Sequence, residues 1–178
     1  KKDRRLRLII DARLTNAFFR KAPSENNSSA GSLGQIRVRP GEKLYTSQYD
    51  VKDLFYRIGI PFELSQFFGL PNVTWAGALS TFGPDGLQHL EGCAHVSPYI
   101  CVLPRGFSWS FYLAQEFLRN IQRRALGSPC WLTDFMAPPV LQTPQDVFTL
   151  AYADNGAHFG ICSATVDAVR LNIELELN

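Results

Sequence analysis

The chain has 178 residues, 46% of them hydrophobic and 19% charged, the balance of a folded domain and not of a disordered, collagen-like or purely coiled-coil chain. Its longest unbroken apolar run, Tyr99 to Leu103, is five residues, against the roughly 20 that a membrane-spanning helix requires. The net charge of +2 conceals an asymmetry: residues 1–60 hold 13 Lys/Arg against 6 Asp/Glu, and residues 61–178 hold 5 against 10, so either a polyanionic partner lies against the first part or that part is a solvated basic surface.

The charged start lacks the apolar stretch of a signal peptide. With no initiator Met it reads as an intracellular piece, cytoplasmic or nuclear, of a longer protein. Residues 5–10 alternate and then run apolar, which predicts a strand, and Asp11 to Arg20 follows as a turn or short helix. Ser24 to Ser32 is too polar to bury and is expected to be a loop. Leu44 to Tyr49 predicts a strand ending at Asp50, and Asp53 to Ile60 is a mixed apolar stretch stopped by Pro61. Asn72 to Gly92 centres on Gly83-Pro84-Asp85-Gly86, which predicts a hairpin, and Val96 to Leu103 predicts a strand. Phe111, Ala114, Phe117, Leu118, Ile121 and Ala125 recur at helical spacing, so a helix is expected with Ser108 or Ser110 as its cap and Gly127 as its stop. Val147 to Ala153 predicts a strand running into an Asp154-Asn155-Gly156 turn, and a last helix or strand begins at Ala164. Strands mixed with helices and no internal repeat give an α+β fold.

The four cysteines form no CxxC pair and are expected to be reduced thiols in the core. His89 and His95 flank Cys93 in turn-like sequence whose spacing does not define a metal site. Tyr56, Phe67, Phe68 and Phe117 are expected in the core. Chemistry is carried by two acids at the ends of apolar strands, Asp50 and Asp154. If those strands are neighbours, about 4.8 Å apart, both carboxylates reach the same hard divalent cations; the spacing leaves open that each is only an exposed turn residue.

Four segments in order change the weight of that alternative. Asp50-Val51-Lys52-Asp53-Leu54-Phe55-Tyr56 with Phe67-Phe68-Gly69-Leu70-Pro71 resembles motif A of reverse transcriptases and the stretch after it. Leu103-Pro104-Arg105-Gly106-Phe107 with Ser110 resembles the LPxG motif B that precedes a long helix. Tyr152-Ala153-Asp154-Asn155 is similar to the YxDD hairpin of motif C, and Arg7-Leu8-Ile9-Ile10-Asp11-Ala12-Arg13 with Asn16 to the fingers pattern R-x-[LV]-[VI]-D-x-R-x-x-N. The order and intervals resemble those of retroelement (retrotransposon) reverse transcriptases from about residue 1 to about 170.

The resemblance implies a polymerase palm, an antiparallel sheet packed on helices over residues 46–178, with partial fingers over 1–45, together one reverse transcriptase domain truncated before a thumb. It implies RNA-directed DNA synthesis by two-metal nucleotidyl transfer with two Mg²⁺ ions, or Mn²⁺ in their place. Asp50 and Asp154 would be catalytic metal ligands, joined by the backbone carbonyl of Val51. Phe55 falls where the family places an aromatic gate against a 2′-hydroxyl; Lys1, Lys2, Arg7, Arg105 and Gly106 fall at nucleotide-binding positions, and Ser108 to Gln115 would line the template. The implied partners are an RNA template, a DNA primer, a dNTP and the rest of a polyprotein, with thumb and RNase H segments, and no membrane. Two departures from the pattern stand out: Asn155 replaces the second acid of YxDD, and Arg105 replaces the glutamine of LPQG. The first supplies the rival reading, a decayed or domesticated module that binds nucleic acid without polymerising.

Overall fold

The computed structural model describes residues 9–24, 26–85, 87, 90–137 and 140–177. In chain order these form α1 (Arg13–Asn16), α2 (Ala30–Gly34), β1 (Tyr45–Asp50), α3 (Leu54–Arg57), α4 (Phe62–Ser65), a 3-10 turn at Gln66–Phe68, β2 (Val73–Thr74), α5 (Trp75–Phe82), β3 (His95–Val96), α6 (Ser110–Leu126), β4 (Cys130–Trp131), β5 (Val147–Tyr152), β6 (Asn155–Gly160) and α7 (Ser163–Leu177). The fold is α+β, and the chain divides into two compact units: Lys1–Arg20 with Phe55–Ser108, and Lys21–Leu54 with Trp109–Asn178. Residues 55–108, which the sequence places in the palm, thus group with the N-terminal segment. Among the described residues no helix is long and apolar enough to cross a membrane.

The second unit is built on a four-stranded sheet in the order β1-β6-β5-β4. β1, β6 and β5 are antiparallel, whereas β4 pairs with β5 in parallel, so the sheet is mixed and not wholly antiparallel. Register partners share a face, and successive residues alternate between faces. One face buries Phe148, Leu150 and Ala157 with Leu132 and Leu141 in an apolar cluster, flanked by Ile36, Val38 and Met136. The other carries Thr149, His158 and Tyr49 and receives helix α6: Gln122 Nε2 donates to Tyr49 Oη at 2.5 Å and to the Leu150 carbonyl at 3.1 Å. α7 packs on α6, β1 and β6, its Val166 methyl lying where a Cβ on Gly160 would come within 2.8 Å.

Helix α6 runs from Ser110 to the Gly127 stop as the periodicity predicts, yet its cap and its buried stripe both differ from expectation. Neither Ser108 nor Ser110 caps it: Trp109 holds the N-cap position without a side-chain bond, and Ser110 is buried. The buried positions are Ser110, Ala114, Gln115, Leu118, Ile121 and Gln122, so glutamines stand where Phe117 and Ala125 were expected. A helix laid across a hairpin meets backbone donors and acceptors there, and amides satisfy them where phenyl rings cannot. The predicted loop at residues 24–32 ends earlier than its composition suggests, because Ser29 caps α2 in a reciprocal box with Ser32.

In the first unit the segment predicted as a hairpin, residues 72–92, carries the helix α5 over Trp75–Phe82. The Thr74 hydroxyl accepts from Gly77 N at 3.1 Å and starts α5, and Gly83 (φ +76°) ends it, its N–H donating to the Leu79 carbonyl at 2.9 Å. Gly83 therefore closes a helix and opens no hairpin. The strand expected over 96–103 shrinks to the His95–Val96 pair with Val73–Thr74 and single bridges of Tyr99 to Gly69 and Val102 to Gly59, since Pro98 interrupts it and Pro104 follows it, neither with an N–H group to pair. Of the strand expected at 5–10, residues 5–8 lie outside the described residues, and Ile10 belongs to no strand: its N–H donates to the Arg105 carbonyl at 3.0 Å.

Several burial expectations are corrected. Phe68 is core, but Tyr56, Phe67 and Phe117 are exposed; Phe67 instead meets the rings of Phe18 and Phe19, at 6.3 and 5.1 Å between centroids, on the surface of the first unit. Cys93, Cys101 and Cys130 are exposed and Cys162 is half-buried, all of them free thiols, because they lie in loops, an extended connection and the edge strand β4 and not on core-facing positions.

Candidate active site

β5 and β6 form a hairpin whose last pair is Tyr152 with Asn155, so its two-residue turn is Ala153-Asp154, one position earlier than the Asp154-Asn155-Gly156 turn read from composition. Ala153 takes φ +52°, the positive value that a two-residue hairpin demands at its first position and that glycine would normally supply. What holds a non-glycine there is Gln115. Its Nε2 donates to the Ala151 carbonyl at 2.7 Å and its Oε1 accepts from Ala153 N at 2.7 Å. Gln115 is fully buried, so both bonds are shielded from water, where unmade bonds are costly. The sequence reading places Gln115 along a template; the structure gives it to the turn.

The turn carries Asp154, and β1 brings Asp50 to the same end of the sheet. Asp50 is the register partner of Asn155, and the next residue, Val51, donates its N–H to the Asp154 carbonyl at 2.8 Å. Asp50 is exposed and Asp154 half-buried, which leaves carboxylates at an open edge. Asn155 Nδ2 donates to Asp154 Oδ1 at 3.3 Å. The Val51 carbonyl accepts from Leu54 N at 3.2 Å and retains a second lone pair. Tyr152 is exposed, its ring edge-on to Phe111 at 5.3 Å. One residue back from the acids, the Tyr49 ring lies across Gly156, where a Cβ would come within 2.1 Å of it, and stacks on His158 at 5.6 Å. Burial pushes the Tyr49 hydroxyl up to about 12 and the His158 imidazole down to about 4, so both stay neutral near pH 7.

As a donor set, Asp50, Asp154, the Val51 carbonyl and the Asn155 amide oxygen are all hard oxygens, the kind that suits Mg²⁺ held by one or two carboxylates with substrate phosphates completing the shell. Among the described residues no three His, Cys, Asp or Glu side chains gather as a metal group.

The motif B-like loop belongs to the first unit. Leu103 and Pro104 are buried there. Gly106 has φ +112°, and a Cβ on it would stand 2.0 Å from the Ile10 carbonyl oxygen; the space that glycine opens is filled by the chain itself. Asn16 clamps the loop from below, its Nδ2 donating to the Gly106 carbonyl at 3.0 Å and its Oδ1 accepting from Ser108 N at 2.8 Å. The sequence lists Asn16 within a pattern but gives no sign of this double bond. Asp11 and Arg13 of the same pattern form a local bidentate pair at 2.7 and 2.8 Å, and the guanidinium holds the Asp11 carboxyl at about 2. The Arg105 guanidinium lies over the Phe55 ring, 4.9 Å from its centroid. Lys1, Lys2, Arg7 and His89 lie outside the described residues. The chain matches no protein-family model and no curated protein sequence.

Proposed function

We propose that this chain is the palm and part of the fingers of a retroelement reverse transcriptase, which extends a DNA primer on an RNA template. The observation that carries the reading is that the motif A and motif C acids, 104 positions apart in sequence, lie at the same end of one sheet, with Asp50 registered opposite Asn155 and Val51 bonded to Asp154. Two divalent ions, when bound, supply charge to the attacking primer oxygen and the leaving pyrophosphate. The chain's own part is to hold: Asp50, Asp154 and the Val51 carbonyl offer the oxygens, Gln115 fixes the turn, and Lys1, Lys2 and Arg7 offer cations to a triphosphate. Phe55 is the proposed gate against ribose and Arg105 and Gly106 are its motif B partners in the same reading. The test is Mg²⁺-dependent primer extension on RNA: Asp50→Asn and Asp154→Asn should each abolish it, and extension that survives both rejects the reading.

Asn155 supports a second reading, a binding module that has lost turnover. An amide brings no charge to a two-ion site, and here its Nδ2 donates to Asp154, leaving only a neutral oxygen to offer a cation. Asn155→Asp places a third carboxylate beside Asp154. If the asparagine is a lesion, the substitution should raise extension rate at limiting Mg²⁺ and increase the Mg²⁺-dependent rise in Tm. RNA binding without extension in either form favours the binding module.

A further inference from the structure

Resting on the polymerase reading, we infer that Arg105 is a positioning residue for the Phe55 gate, so that sugar selection depends on a cation above the ring as well as on the bulk of the ring itself. Phe55 is the second residue of α3, a helix of four residues, whose backbone bonds leave the χ angles of the ring to be set by its neighbours. Its ring needs an external partner if it is to stand at one rotamer. Arg105 supplies it: the guanidinium carbon is 4.9 Å from the Phe55 centroid and 5.9 Å from that of Tyr56, both within cation–π range. A planar guanidinium stacks on an aromatic face in a way that a glutamine amide cannot.

The cation is itself fixed at its base. The Arg105 carbonyl accepts from Ile10 N at 3.0 Å. The next residue, Gly106, is tied to Asn16 at 3.0 Å and pressed against the Ile10 carbonyl so closely that no larger residue fits. Tyr56 is exposed while Phe55 and Arg105 are half-buried, so the Phe55 contact is the better shielded of the two and the stronger. The departure at residue 105 and the aromatic at residue 55 are thereby one feature: the loop that would carry an amide carries instead the clamp for the gate.

The experiment uses the full chain with Mg²⁺, a template–primer duplex, and dATP or ATP as probes. It reads the ratio of kcat/KM values for extension and, independently of turnover, the ratio of Kd values for the two nucleotides. Phe55→Val should lose most of the preference for dATP. Arg105→Gln should lower it by about two- to five-fold, the scale of one cation–π contact, in the ratio of Kd values as well as in that of kcat/KM values. Arg105→Lys, which keeps the cation, should retain more than half of the effect, and Arg105→Gln added to Phe55→Val should change nothing further. In NMR spectra the Arg105 δ-methylene protons should sit upfield under the Phe55 ring current and return toward ordinary positions in Phe55→Val.

A preference lost in Phe55→Val but intact in Arg105→Gln, with the Tm of both unchanged, overturns the clamp and leaves the polymerase reading standing. An unaltered preference in Phe55→Val, or no Mg²⁺-dependent binding of either nucleotide, overturns the gate and the clamp together. Absence of the upfield shift overturns the clamp whatever the activity.

Discussion

Gln115 and His158 are buried polar residues whose surroundings set their behaviour. Gln115→Ala would orphan the Ala151 carbonyl and the Ala153 N–H in a water-free layer while Ala153 still needs its positive φ, a loss of about 2–4 kcal/mol for a cavity plus unmade bonds. Gln115→Glu keeps the acceptor and loses the donor, so it should be destabilised as well and should regain part of the loss below neutral pH, where the buried acid is protonated and can donate. Urea midpoints at pH 5 and pH 7 check both; equal losses at the two pH values would contradict the role given to the Nε2 bond. His158 lies between Tyr49 and Thr149, whose hydroxyl is 3.3 Å from Nδ1. Its pKa falls from 6.5 to about 4 on burial, so the unfolded chain takes up a proton that the folded one refuses. Stability is whole above pH 6.5, declines as the pH drops toward 4 and is then flat, a change of about 3 kcal/mol from this group. His158→Gln should remove that slope, which denaturant titrations from pH 7 to pH 4 would reveal.

At the scale of elements, two glycines are demanded for different reasons. Gly106 has φ +112° and faces backbone, the Ile10 carbonyl at 2.0 Å from a built Cβ, so Gly106→Ala cannot be relieved by a rotamer and should cost more than about 2 kcal/mol. Gly156 faces the Tyr49 side chain, its Cζ at 2.1 Å from a built Cβ. Gly156→Ala should cost about 1–3 kcal/mol, and that cost should shrink when Tyr49→Ala is already present, whereas no side-chain truncation rescues Gly106→Ala. A double-mutant cycle for Tyr49 and Gly156 measures the difference; purely additive effects would mean that the ring moves aside freely. Neither constraint was legible in the sequence beyond the letter G, because each arises where a distant segment crosses, residue 10 over residue 106 and strand β1 over β6. The α6 stop at Gly127 was legible, since a helix end is a local matter.

Across the whole molecule, the proposed function makes the basic first part of the chain a testable contact for RNA. Association of a single-stranded RNA oligonucleotide, followed by fluorescence anisotropy from 50 to 200 mM salt, should weaken along a linear log–log slope of about −0.7 for each phosphate neutralised, and replacing Lys1, Lys2, Arg4, Arg5 and Arg7 by Gln should flatten it. A slope unchanged by those replacements would move the contact elsewhere. The sequence by itself determined the features that depend on neighbours along the chain: strands β1 and β5, the helical spacing of α6, the α+β class, and the two acids at strand ends. These survive because periodicity and turn chemistry act over a few residues. Only the tertiary structure decided that β4 joins the sheet in parallel, that Ala153-Asp154 forms the turn, and that two glutamines line the buried face of α6. The helix α5, where a turn tetrapeptide suggests a hairpin, is set by its own cap and stop at Thr74 and Gly83, whereas those outcomes are settled by partners far away in sequence, a backbone amide, a carbonyl or a neighbouring strand, and no local pattern of residues encodes which distant group will arrive.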